Sequence, residues 1–226
     1  MLRGKEGRHA STVRRLARGE RVDVTDGHGT LAECVVTAAR PGELELAVVA
    51  RRRDTRPEPQ LAVVQAIPKG DRGELAVELL TEVGADVIVP WAADRCVAVW
   101  RGDRATRSRA RWVTAAEQAA KQSRRAWFPV VTEQADLAGA VDRARAADLA
   151  IVLDATADVL VATIDLPDRG EIVLAVGPEG GISPAETDAL VAAGAVTARL
   201  GPTVLRASSA GVVAASILLS RTRRWA

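Results

Sequence analysis

The chain has 226 residues, 48% of them apolar, enough for one large domain or two small ones with an ordinary core. The N-terminus, MLRGKEGRHA, has no apolar leader region, and Asp154 and Asp158 interrupt the most apolar stretch, LAIVLDATADVLVATI, before membrane-spanning length. A folded, cytoplasmic protein without a membrane partner is expected, and Cys34 and Cys96, far apart and outside any CxxC or Cys/His cluster, exclude a zinc site or a disulfide framework.

Residues 20 to 50 read as short strands with turns: ERVDVTD, the Gly27-His28-Gly29 turn, TLAECVVTAA, Pro41-Gly42 and ELELAVVA. This predicts a small β domain over 1–60. RRRDTRPEPQ, residues 51 to 60, reads as a linker because proline and charge break all periodicity. A second domain, 61–226, follows.

There strands and helices alternate. LAVVQAI precedes a helix from Asp71 to Val83, and DVIVPW precedes a long helix from about Thr106 to Ser123. WFPVV, a helix near Gln134 to Ala146, DLAIVLD and EIVLAVG come next, then a helix from Pro184 to Ala193, VTARLG and a last helix from Ser208 to Ser220. Alternation with apolar strands predicts an α/β domain with a mostly parallel sheet covered on both faces.

Charge is segregated along this domain. Arg101 to Arg125 holds eight Lys and Arg against Asp103 and Glu117, a local +6 in a chain of net +2. Glu133 to Asp188 holds twelve acids against Arg143, Arg145 and Arg169, a local −9. The basic segment suits a polyanion, although charge runs are more often solvated surface.

The stretch VGPEGGIS, 176 to 183, follows an apolar run and leads into Ser183-Pro184-Ala185-Glu186, which combines an N-cap serine, a first-turn proline and a capping-box glutamate. A second turn, Leu200-Gly201-Pro202-Thr203-Val204-Leu205-Arg206, also runs into a helix. Taken singly, each pattern also fits a purely structural turn. Paired after strands, they predict two loops meeting over one crevice. Neither is a Walker A, and no GxGxxG follows an early strand, so a conventional ATP or NAD site is not expected.

GPEGGIS followed by LGPTVLR and an alanine-rich helix resembles the paired cofactor motifs of the SPOUT methyltransferases, with the RsmE family the nearest match. Lys69-Gly70-Asp71-Arg72 with Thr81-Glu82-Val83-Gly84 is similar to that family's K-G-x-R and T-E-L-G segment. Arg111-Trp112, Gln122-Ser123, Arg125 and Pro129 resemble its R-W, Q-S-x-R and P pattern. His9, Val13, Arg15 and Gly19 resemble the start of its PUA-like barrel. The chain departs from the pattern at Ala207-Ser208-Ser209, where many members have Thr-Glu-Thr, and at Gln118, where Glu is usual. It also begins almost at the His9 motif, so a shortened or incomplete barrel is expected.

The resemblance implies a SPOUT-type parallel sheet with a C-terminal trefoil knot behind a PUA-like RNA-binding β-barrel. It implies methylation of uridine N3 in 16S ribosomal RNA with S-adenosylmethionine, by a homodimer. Two alternatives keep the fold: a SPOUT enzyme acting on another RNA, and a noncatalytic ribosome-binding relative.

The implied cofactor residues are Gly177, Pro178, Glu179, Gly180, Gly181 and Ile182 on one side, and Leu200, Gly201, Val204 and Leu205 on the other. Glu179 suits a sulfonium cation better than a phosphate. Gly180 is expected to let the cofactor approach the backbone closely. Arg206 is the implied catalytic cation, placed to stabilise the anion that forms when N3 loses its proton. His9, Arg15, Lys69, Arg72, Arg124 and Arg125 are implied RNA contacts, and Trp112 or Trp127 could receive a flipped base. No general base is apparent.

Overall fold

The computed structural model describes residues 1–225 and divides into two compact units, Met1–Arg56 and Pro57–Ala226. The first begins with a short helix α1 (Gly4–Arg8) and a π-helical turn at His9–Val13. Three antiparallel strands follow in the order β1 (Arg21–Thr25), β2 (Thr30–Arg40) and β3 (Glu43–Arg53). Their small core is Ala10, Leu16, Val36 and Leu44.

Strand β3 runs through Arg51–Arg53, which the sequence assigns to a linker. Arg51, Arg52 and Arg53 pair with Ala32, Leu31 and Thr30 of β2, and all three are exposed. Backbone pairing on a solvated sheet tolerates three charges that local propensity does not favour.

In the second unit the elements are β4 (Gln60–Ala66), α2 (Arg72–Val83), β5 (Val87–Trp91), α3 (Gly102–Gln122) and β6 (Val130–Val131). Then come α4 (Leu137–Ala146), β7 (Leu149–Leu153), β8 (Glu171–Val176), α5 (Pro184–Ala192), β9 (Val196–Ala198) and α6 (Ala207–Leu219). All pairings in the sheet are parallel, in the order β6-β5-β4-β8-β7-β9.

The apolar runs of β4 and β8 are continuous because both faces of the sheet are covered. In β4, Leu61 and Val63 face a core shared with Val77, Leu80, Trp112 and Leu218 from α2, α3 and α6. Ala62, Val64 and Ala66 face the opposite core, with Ala140 and Leu190 from α4 and α5. Helix α4 starts three residues later than its periodicity predicts. Ala135 still pairs with Trp91 in extended form, and the Asp136 carboxylate then caps the helix by accepting from Gly139 N–H at 2.9 Å. The order of strands and the return of α6 onto α2 and β4 are consistent with a C-terminal trefoil threading.

Candidate cofactor and nucleic-acid site

Strands β7, β8 and β9 are neighbours in the sheet, so their carboxyl ends deliver three loops to one place. A cavity of about 400 Å³ opens there, within the usual range for small-molecule sites.

The loop after β8 is built by short-range chemistry. Gly181 N–H donates to Pro178 carbonyl at 2.9 Å, with Gly181 at φ +73°. Ile182 folds back so closely that a Cβ on Gly177 would lie 2.8 Å from its Cγ1. Ser183 then caps α5. Its hydroxyl accepts from Glu186 N–H at 3.3 Å, and Glu186 returns a carboxylate to Ser183 N–H at 2.8 Å. The capping box read from the sequence is formed.

Glu186 is 1% exposed, and its second oxygen accepts from Asp94 N–H at 2.7 Å. Asp94 in turn accepts from the Ser183 hydroxyl at 2.9 Å, and Arg95 donates to the Gly180 carbonyl at 3.0 Å. The segment after β5 therefore braces the glycine turn from outside. These bracing residues lie some 85 to 92 positions from their partners, a separation no local motif reports.

Gly177, Pro178, Glu179, Gly181 and Ile182 line the cavity, as do Leu200, Gly201, Val204, Leu205 and Arg206. Gly180 does not. A Cβ there would meet Arg95 Cβ at 3.2 Å, so this glycine makes room for the brace and not for a ligand. Glu179 lines the cavity, and its carboxylate accepts from Lys69 N–H at 3.2 Å and lies 3.9 Å from Arg72. Its charge ties the glycine turn to the loop after β4.

Arg206 is the exposed N-cap residue of α6; its carbonyl accepts from Ser209 and Ala210 N–H at 2.9 Å, while its guanidinium makes no hydrogen bond or ion pair among the described residues. Behind it Ala207 and Ser208 are buried, and the Ala207 carbonyl accepts from buried Gln65 at 3.3 Å. The Ala-Ser-Ser departure thus fills a tight helix start. Gln118 is exposed on α3.

Sequence reasoning missed the third wall: Leu153, Asp154 and Ala155 at the end of β7, with Ala198, Arg199 and Thr203. The signal was an aspartate closing the strand LAIVLD, but only the sheet order places β7 beside β8 and β9. Asp154 shapes its own turn, accepting from Thr156 N–H and hydroxyl at 2.8 and 2.7 Å.

The expected RNA contacts separate. Lys69 and Arg72 lie at the carboxyl end of β4 and are exposed, as are Arg124, at φ +56°, and His9 and Arg15 of the first unit. Arg125 is a correction. Its side chain is 12% exposed and donates to the Thr81 and Ala85 carbonyls at 2.9 and 2.6 Å and to Asp86 at 3.3 Å. Burial pulls its guanidinium pKa below the ordinary value, with Asp86 opposing the shift. Trp112 is likewise core: it is 3% exposed and stands edge-on to Trp100 with centroids 5.0 Å apart. Trp127 is half-buried.

Part of the basic run on α3 is also neutralised internally, since Arg109 donates to the Val131 and Thr132 carbonyls and pairs with Glu133, and Arg111 pairs with Glu74. Arg101, Arg104 and Arg107 remain exposed on its first turns. Burial pushes the thiols of Cys34 and Cys96 up, away from the reactive thiolate. Among the described residues no group of three or more His, Cys, Asp or Glu side chains could hold a metal ion, and no helix is long and apolar enough to cross a membrane.

Comparison with known proteins matches residues 56–219 to the family described as RNA methyltransferase domain and residues 2–49 to RNA methyltransferase PUA domain. The ribosomal RNA small subunit methyltransferase E of Mycobacterium tuberculosis is 45% identical over 98% of this chain and 86% of its own length. Its Bacillus subtilis counterpart is 27% identical over 98% and 90%. Among solved structures, the Neisseria gonorrhoeae protein of the same name, bound to S-adenosyl methionine, superposes with a TM-score of 0.86 at 26% identity, covering 97% of this chain and 90% of that one. A Legionella pneumophila protein in complex with the same cofactor shares the fold at a TM-score of 0.88 and 24% identity, over 98% and 91%.

Proposed function

Since the chain belongs to the ribosomal RNA small subunit methyltransferase E family, we propose that it methylates N3 of one uridine in 16S ribosomal RNA, using S-adenosylmethionine. The observation that carries this reading is the closure of the two sequence-distant loops, 177–182 and 200–206, around one cavity with Arg206 at its edge.

The cavity fits that cofactor. Ile182, Leu200, Val204 and Leu205 offer apolar contact for an adenine, the glycine turn offers backbone polar groups, and Arg199 carries a buried Nε with no partner among the described residues. S-adenosylmethionine supplies a methyl group already activated on a sulfonium. At the acceptor, the N3 proton passes to solvent and the N3 lone pair forms the bond to the methyl carbon. The electron pair of the broken carbon–sulfur bond remains on sulfur.

Loss of that proton leaves negative charge on N3 and its flanking carbonyl oxygens. Arg206, unpaired and at the edge of the cavity, stabilises it electrostatically. Gly177, Pro178, Glu179, Gly181 and Ile182 hold the cofactor from one side and Leu200, Gly201, Val204 and Leu205 from the other. Lys69, Arg72 and Arg124, with His9 and Arg15 of the PUA-like unit, engage RNA. In this reading the protein works in the cytoplasm as a homodimer.

The test is mass spectrometry of 16S RNA from cells lacking this protein. One N3-methyluridine disappears and returns when the wild-type chain is supplied. Its persistence would exclude this substrate.

A further inference from the structure

At the carboxyl ends of β4 and β5 lies a second cavity, of about 820 Å³, which shares Glu179 with the cofactor cavity. Its other walls include Lys69, Asp71 and Arg72 at the entry to α2, Leu75 in the first turn of that helix, and Val97 after β5. Leu75 and Val97 are 46% and 68% exposed, so two apolar side chains stand open to water on the cavity walls.

The charges balance. Lys69 and Arg72 face Asp71 and Glu179, and Asp71, although at the N-cap position, spends no side-chain hydrogen bond on the helix. A phosphate site draws its affinity from surplus positive charge. A formally neutral cavity with apolar walls and separate donors and acceptors suits an uncharged heteroaromatic ring instead. Methyl transfer also requires donor carbon and acceptor nitrogen to approach to roughly 3–3.5 Å. The acceptor ring must therefore enter through space that adjoins the cofactor cavity, and this cavity does, across a wall that Lys69 N–H and Arg72 hold in place.

We propose that this second cavity seats the target pyrimidine, turned out of the RNA. Its faces lie on Leu75 and Val97, and its carbonyl oxygens face Lys69 and Arg72. The inference rests on the methyl-transfer reading and deepens it: Lys69 and Arg72 recognise the base and help carry the charge that N3 deprotonation creates, and they are not phosphate contacts.

The experiment uses small ribosomal subunits from cells lacking the protein as acceptor, with S-adenosylmethionine affinity measured in parallel by calorimetry, which also reports folding. Leu75→Glu and Val97→Glu, both at exposed positions, raise the KM for subunits about tenfold or more because each presses a charge against the ring. Cofactor affinity stays within about twofold. Arg72→Ala lowers kcat about tenfold or more and leaves the salt dependence of KM unchanged.

Unchanged KM in both glutamate variants would overturn the proposal. So would a fall of about one in the salt slope for Arg72→Ala, the signature of a lost phosphate contact. Loss of cofactor affinity in the glutamate variants would assign these residues to the first cavity and overturn it equally. A wild-type protein that binds the cofactor but leaves the subunits unmethylated would refute the methyl-transfer reading itself, a separate result.

Discussion

Gly177 has no space for a side chain, because a Cβ there would lie 2.8 Å from Ile182 Cγ1 and 3.1 Å from Ile182 N. Alanine at this position must push Ile182 out of the cavity wall. Overpacking of this kind costs about 1–3 kcal/mol, and if it falls on the bound form it weakens S-adenosylmethionine roughly 10- to 100-fold; calorimetry reads it directly. Gly180 is different. Its Cβ would lie 3.2 Å from Arg95 Cβ, outside the cavity, and a shift of a few tenths of an ångström relieves that contact, so Gly180→Ala should weaken cofactor binding less than Gly177→Ala does. Equal losses would mean that the brace and the wall are not separable.

Arg206 tests the division between binding and chemistry. Its guanidinium has no partner to lose, and its carbonyl contacts to Ser209 and Ala210 survive the substitution, so Arg206→Ala should leave cofactor affinity and stability near wild type. Removing a charge that acts only on the transition state lowers kcat by about 10² to 10³-fold. A parallel loss of cofactor binding would show that Arg206 serves the ground state instead.

At the scale of elements, α2 and α3 meet through a contact that fixes a glycine. A Cβ on Gly73 would lie 2.8 Å from Trp112 Nε1 and 2.9 Å from its Cζ2, and the indole is held edge-on by Trp100. Gly73→Ala must separate the two helices, at a cost of about 1–3 kcal/mol. Urea unfolding measures it, and a neutral result would show that Trp112 can rotate away.

The same elements show what sequence can and cannot report. Ser183 and Glu186 are three residues apart, so their capping box was readable as a local pattern. The helix of residues 72–83 and the strands β4 and β8 were readable because burial imposes a period or a continuous apolar run. Asp94, Arg95 and the β7 wall were not, since their roles come from sheet order. Arg125 was misread for the same reason: a basic residue after a basic helix looks solvated until the fold brings Asp86 to it. Resemblance supplied the threading and the substrate, which periodicity does not encode.

At the scale of the whole molecule, the two cavities and a buried ion cluster occupy opposite ends of one sheet. The two cavities open at carboxyl ends of strands, whereas Asp86 lies just before β5, and its carboxylate accepts from Leu61 N–H, at the start of β4, at 2.9 Å. Six steps of extended chain, from Leu61 to Ile67, put about 20 Å between these ends. Asp86 is 3% exposed at its side chain and holds two arginines, Arg125 at 3.3 Å and Arg224 at 2.6 Å. Arg224 comes from the turn after α6 and also donates to the Pro59 and Gly84 carbonyls at 2.9 and 2.8 Å, which fastens the C-terminal segment to the amino ends of β4 and β5. Removing the carboxylate leaves two buried guanidiniums facing each other without compensation, a change that costs about 3–5 kcal/mol. Asp86→Ala should therefore lower the urea midpoint sharply, whereas Asp86→Leu combined with Arg125→Met and Arg224→Met should recover much of it, because a buried ion cluster replaced by apolar groups loses no unpaired charge. Cofactor affinity of the folded fraction should be unchanged in both, since the cavity lies at the far end of the strands. If Asp86→Ala reduced S-adenosylmethionine affinity in protein shown to be folded, the two ends of the sheet would be coupled and this separation of roles would fail.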